Sequence, residues 1–411
     1  MTTNSSLCIE SPAGDPEHWI LDRSVDFLNH GSFGACPRPV LEAQSRYREE
    51  MEREPVRFMT ARRGPLQDEA RQALCDFLGS RFEDIVPVPN STSAVSAVVR
   101  SLDFEPGDEL LTTNHAYNAC TNALRYVAER CGAQLRVAEV PFPLSDAEQV
   151  VEAVLGALTD RTRLVMLDHV TSPTALIFPI DRLVSEIQGR GIDVLVDGSH
   201  APAMVPLDLD ALGAAYYTGN CHKWMCAPKG AGFLHVRRDR QEPIVPAVIS
   251  HGMNMRRPGR SRFHDLFDWI GTIDPTPWIC VKDSIEFLES AFPGGAAGLA
   301  ARNRRLALAA RDLLCRALSG DPPAPNSMLG TMATVVLPDE SQPDQMDFTT
   351  SPSPSLPLYC HLLREHNIDV PVSPWPAPPR QTLRISAQAY NHLAQFERLA
   401  EILKQQFTRT S

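Results

Sequence analysis

The feature that most constrains this chain is an alternation of two patterns. Short apolar runs that end on polar or glycine-containing turns read as strands: "ELLTTNH" (109–115), "LRVAEVPF" (135–142), "TRLVMLDHV" (162–170), "DVLVDGSH" (193–200) and "AGFLHVRR" (231–238). Between them lie "SAVSAVVRSLD", "NACTNALRYVAERCG", "DAEQVVEAVLGALT" and "PIDRLVSEIQGRG", whose apolar residues recur at helical spacing and which often close on glycine. Strands separated by helices of this length predict a mostly parallel sheet covered on both faces. That large domain is expected over 45–290.

After it the pattern changes. "FPGGAAGLAARNRRLALAARDLLCRAL" is a glycine-rich hinge leading into an amphipathic helix, followed by "TMATVVLPD", a Pro/Ser/Asp-rich stretch, "LYCHLLREHN" and "TLRISAQAYN". These predict a smaller C-terminal α/β domain over 291–411, with a disordered insertion or lid near 339–357. At 411 residues, a large domain plus a smaller one is the natural division.

Lys plus Arg total 39 and Asp plus Glu 50, a net charge of −11, which argues against a sequence-independent nucleic-acid binder. No apolar stretch approaches membrane length, and the opening residues lack a basic segment followed by an apolar run, so a cytoplasmic protein is expected. The ten cysteines stand singly, with no CxxC pair and no metal-ligand spacing, so reduced, mostly buried thiols and no metal site are expected.

Chemistry concentrates where strands end, which in open α/β sheets is where ligands gather. Asn90, Ser91, Thr92 and Ser93 open a helix, where they serve either as plain caps or as a phosphate cradle. Asp197 closes a strongly apolar run and His200 follows it; the carboxylate reads equally as a helix cap or a ligand group. Then comes "TGNCHKWMCAPKG", with Lys223 in an apparently buried turn, where a lysine is rare unless paired or chemically used. An amine, an anion and a phosphate cradle together match what pyridoxal phosphate requires: a Schiff-base partner, a counter-ion for its ring nitrogen and a phosphate site.

The blocks "NSTSAV", "VDGSHAPA", "GNCHKWMCAPKG" and "LRIS" resemble the class V aminotransferase family of fold-type I pyridoxal phosphate enzymes. "LNHGSFGACP", "NHAYNA" and "HVTSPTALIFPI" are similar to its isopenicillin N epimerase-like branch. The resemblance implies a mostly parallel seven-stranded sheet between helices and a segment 1–44 that joins the small domain at the substrate entrance. It further implies Lys223 as the Schiff-base lysine, Asp197 as partner of the ring nitrogen and His200 as neighbour of the phenolic oxygen, with Ser172 near that oxygen too. Ser91, Thr92, Asn220 and His222 become phosphate ligands, and Tyr117 stacks on the ring, with His115 as the alternative. Arg384 grips a substrate α-carboxylate, Asn29 and His30 line the entrance, and Gly271 and Thr272 complete a neighbouring subunit's phosphate site in a homodimer.

With Lys223 as base for the Cα proton, three outcomes stay open: epimerisation, elimination and transamination. Epimerisation needs a second proton donor, for which Tyr117, His115 and His30 are candidates. Cysteine desulfurases of this family need a nucleophilic cysteine on a loop ahead of the carboxylate-binding arginine; the stretch from Ser327 to Leu356 has none, and Cys221 and Cys226 read as packing residues. The expected order is therefore an epimerase, then a carbon–sulfur lyase, then an aminotransferase, acting on an amino acid or peptide-like amino acid. A pyridoxal phosphate fold that binds without catalysing is the non-enzyme alternative.

Overall fold

A computed structural model describes residues 8–338 and 357–408. Seven strands form the central sheet: β1 (Ile85–Val88), β2 (Glu109–Thr113), β3 (Gln134–Ala138), β4 (Thr162–Asp168), β5 (Asp193–Asp197), β6 (Tyr216–Asn220) and β7 (Gly232–Val236). Their spatial order is β1-β7-β6-β5-β4-β2-β3. All neighbours are parallel except β7, which runs antiparallel to both β1 and β6. Pro87 sits in β1, the edge strand, where a missing N–H costs least.

The period-two alternation of the strands separates two cores. Val194 and Val196 of β5, with Val165 and Leu167 of β4, enter one apolar cluster, while Leu195, Leu164 and Met166 enter the other. Helices cover both faces. In α1 (Ser91–Ser101) Asn90 caps the start, its Oδ1 accepting the Ser93 N–H at 2.9 Å. In α2 (Asn118–Cys131) Cys120, Leu124, Val127 and Ala128 turn inward, and Gly132, at φ 71°, ends the helix in the left-handed region. α3 (Ile180–Gln188) buries Ile180, Leu183, Val184 and Ile187, one stripe at i, i+3, i+4 and i+7, each contributing about 1.5–3 kcal/mol on burial.

The C-terminal part packs α4 (Gly295–Ala317) against a three-stranded antiparallel sheet, β8 (Met332–Val336), β9 (Val372–Pro374) and β10 (Gln381–Ser386), in the order β9-β10-β8, and α5 (Leu393–Thr408) against α4. The N-terminal segment joins this part, since Asp26–Phe27 pairs in parallel with Ile368–Asp369. Of the stretch 339–357, only Pro357, which opens the helix Pro357–His366, is among the described residues. No described helix is long and apolar enough to cross a membrane.

Candidate active site

Because β4, β5 and β6 are parallel, their carboxyl ends meet on one rim. Register aligns Asp168 with Asp197 and Asp197 with Thr218. Lys223 lies three residues beyond the end of β6, in the turn the sequence marks with "GNCHKW". Gly34, at φ 71°, lets a second loop press on this turn: a Cβ there would stand 2.2 Å from the His222 carbonyl oxygen.

The Lys223 amine is 3.1 Å from His200 Nε2. Burial lowers its pKa to about 8, opposed by Asp197 and reinforced by Arg384. His200 is itself buried and held well below its ordinary value, first by burial and then by Lys223. Asp197 is buried with both oxygens occupied: Oδ1 accepts the Ser199 N–H at 3.0 Å and the Ser199 hydroxyl, and Oδ2 accepts the Cys120 thiol at 3.3 Å.

Beside this group is the start of α1. The Ser91 N–H donates to Asn220 Oδ1 at 2.9 Å, and Ser93 is taken by the cap. The Thr92 N–H is left without a partner among the described residues, and so is the buried Ser91 hydroxyl. His222 Nδ1 donates to the Ala231 carbonyl at 2.9 Å, and burial lowers its pKa to about 4, so Nε2 donates only when the ring is protonated.

Arg384 reaches the site from β10. Its guanidinium donates to the Ser172 carbonyl at 2.6 Å, to Ser172 Oγ at 3.2 Å and to Ser32 Oγ at 3.1 Å, while the buried Nε has no partner. It is 8% exposed and lacks a carboxylate partner among the described residues. Burial lowers even this guanidinium to about 10, an effect that the Tyr117 hydroxyl opposes.

Several expected roles change with this geometry. His30 is fully buried behind the lysine turn instead of lining an entrance: Nδ1 meets the Tyr390 hydroxyl at 2.8 Å and Nε2 the Lys223 carbonyl at 3.0 Å. Asn29 is turned to Asp369, whose carboxylate accepts its amide at 3.0 Å. Further along the same segment, Ser32 accepts from Arg384 and Phe33 is 74% exposed.

His115 is not available for stacking. It is buried against Trp375, with Nδ1 on Thr174 Oγ1 at 2.6 Å and Nε2 on the Val140 carbonyl at 3.0 Å. Tyr117, at the start of α2, is 48% exposed and keeps its ring accessible. Ser172 serves Arg384. Gly271 and Thr272 lie on an exposed loop beside a cleft of about 250 Å³ walled by Trp269, Ile273 and Trp278. Cys221 and Cys226 are fully buried in the core.

Two neighbours escaped the reading of the sequence. Asp168 is buried beside Asp197 with Oδ2 unpartnered, and burial and that second carboxylate raise its pKa well above the usual range. Its signal was present, since "TRLVMLD" ends on aspartate as "DVLVD" does. Trp224, which follows the lysine, donates its indole N–H to His200 Nδ1 at 3.2 Å; tryptophan in an apolar turn carries no sign of that. One described group could hold a metal by geometry, Asp84, Asp210 and His235, but Gln241 and Arg81 already engage its two carboxylates.

The family model of the aminotransferases class V matches residues 32–314. The chain is 34% identical to an isopenicillin N epimerase of Amycolatopsis lactamdurans, over 95% of this chain and 97% of that one. It is 28% identical to a putative L-cysteine desulfhydrase of Oryza sativa subsp. japonica, over 92% of this chain and 83% of that one. In fold it is similar to a C-DES mutant with glycine covalently linked to its PLP cofactor, at a TM-score of 0.76 and 20% identity, over 95% of this chain and 99% of that one.

Proposed function

We propose, from the premise that this chain belongs to the aminotransferase class V family and takes pyridoxal 5'-phosphate as its cofactor, that it epimerises an amino acid or peptide-like amino acid at Cα. The residues fit that cofactor. Lys223 supplies the amine, Asp197 a buried carboxylate for the ring nitrogen, and Ser91 Oγ and the Thr92 N–H two donors without a partner among the described residues. A phosphate dianion also favours protonation of His222, which turns its Nε2 into a third donor. Asn220 holds the start of α1 in position for them.

The observation that carries an amino-acid substrate is Arg384: a buried cation without an anion among the described residues, its Nε unpartnered there too, and near enough to Lys223 to lower that amine's pKa. A planar guanidinium in that state suits a carboxylate. The cofactor, once bound, draws electrons away from the substrate Cα. Lys223, whose pKa burial lowers to about 8, takes up the Cα proton, and its free-amine share grows as pH rises through that value. Epimerisation also requires a proton from the opposite face. His30 and His115 have both ring nitrogens engaged, which leaves Tyr117 as the donor among the three candidates.

A carbon–sulfur lyase is the second reading, favoured by the desulfhydrase relatives and by a chemistry that needs no persulfide cysteine. The two separate in deuterated water. An epimerase incorporates deuterium at Cα and inverts configuration there without releasing keto acid or sulfide, and Tyr117→Phe keeps the exchange while slowing the inversion about 100-fold. Release of keto acid or sulfide with configuration retained would reject epimerisation. For the assembly, exposed Val248, Ile249, Met253, Met255 and Ile273 favour a homodimer in which Gly271 and Thr272 reach the other subunit's phosphate site.

A further inference from the structure

Trp224 is 2% exposed and its ring packs 4.9 Å from that of His30, which is itself tied to the Lys223 carbonyl. An indole nitrogen can only donate, so His200 Nδ1, which receives it at 3.2 Å, carries no proton. A neutral His200 then has its proton on Nε2, the atom 3.1 Å from the Lys223 amine. That N–H must donate, and an ammonium group has no lone pair with which to accept.

We propose that Trp224 is a positioning residue that locks His200 in the tautomer protonated on Nε2, so that His200 acts on Lys223 only as a donor and holds its amine as the free base. This rests on Lys223 being the cofactor-binding amine. Without the lock the ring could adopt the other tautomer, offer Nε2 as an acceptor and stabilise the ammonium form instead. The other groups facing the amine are Asp197 on β5, Asp168 on β4, Cys120 on α2 and Arg384 on β10; those facing His200 are Lys223, Arg384 and His30. None of them donates to His200 Nδ1.

The test uses the full chain with its cofactor removed by hydroxylamine. Nitrogen-15 NMR of the His200 ring, assigned by its loss in His200→Gln, should give an unprotonated Nδ1 and a protonated Nε2. A protonated Nδ1 in the unsubstituted protein overturns the proposal, whatever the variants do. The rate at which added pyridoxal phosphate is captured, followed by its absorbance, then reports the free amine. Trp224→Phe should raise the midpoint of the pH–rate profile by about half to one unit, the worth of one hydrogen bond. The same substitution in a His200→Gln background should move it no further; an equal shift there would mean that the indole acts through packing, and the proposal fails. An absence of capture at any pH, with the tautomer as expected, would instead count against Lys223 as the cofactor amine.

Discussion

The inner and outer halves of the site are built on opposite terms. Inside, around Lys223, Asp197 and His200, both carboxylate oxygens of Asp197 and both ring nitrogens of His200 have partners, and Asp168 Oδ2 beside them is the open atom among the described residues. Outside, Arg384 keeps an unpartnered Nε, Tyr117 is half exposed and Phe33 is 74% exposed. A closed network fixes geometry and protonation, and an open one waits for a ligand to complete it. The inner half therefore suits holding the cofactor, and the outer half suits the choice of substrate.

Substitutions should separate the halves. Lys223→Ala is expected to lower kcat by roughly a thousandfold or more, and borohydride should no longer trap the cofactor on the protein. Retention of both would break the comparison at its centre. Asp197→Asn keeps the shape but not the charge, so a loss of about 10²- to 10³-fold in kcat is expected. KM should hardly move, and the absorbance of the bound cofactor should shift.

Arg384→Lys belongs to the outer half. It should leave the cofactor spectrum unchanged and raise KM, with kcat/KM down about 10- to 100-fold, because an ammonium cannot make the two-pronged contact. A spectrum that changed with it would mean that the halves are not separate.

The smallest effect is on stability. Burial lowers His30 to about 3 and His115, His169 and His222 to about 4, against 6.5 for free histidine. Between those values the unfolded chain binds more protons than the folded one, so stability falls as pH drops from 6.5 towards 4. Urea midpoints at pH 7, 6 and 5 should decrease in that order, and bound cofactor should be lost with them, since His30 is hydrogen-bonded to the Lys223 carbonyl. A midpoint flat over that range would remove these neutral histidines from the account.

Much of the site was legible because the same local rule placed it. Lys223, Asp197 and Ser91 each follow an apolar strand within a few residues, and parallel strands bring such ends together without further instruction. His30 and His115 were misjudged for the converse reason. Their roles came from the resemblance alone, and only distant packing, Tyr390 for one and Trp375 for the other, turns them inward. The antiparallel course of β7 was likewise hidden, because apolar runs carry no direction.

The sequence by itself determined the layered α/β plan, the rim on which Lys223, Asp197 and the start of α1 gather, and the arginine in "TLRIS", because period and spacing are local properties of a chain. Only the tertiary structure decided that Arg384 meets Ser32 across 352 residues and stays without an anion among the described residues, and that Trp224 sets the proton of a histidine 24 positions earlier. Such contacts depend on which distant surfaces close on one another, and the free energy of that closure is spread over the whole core.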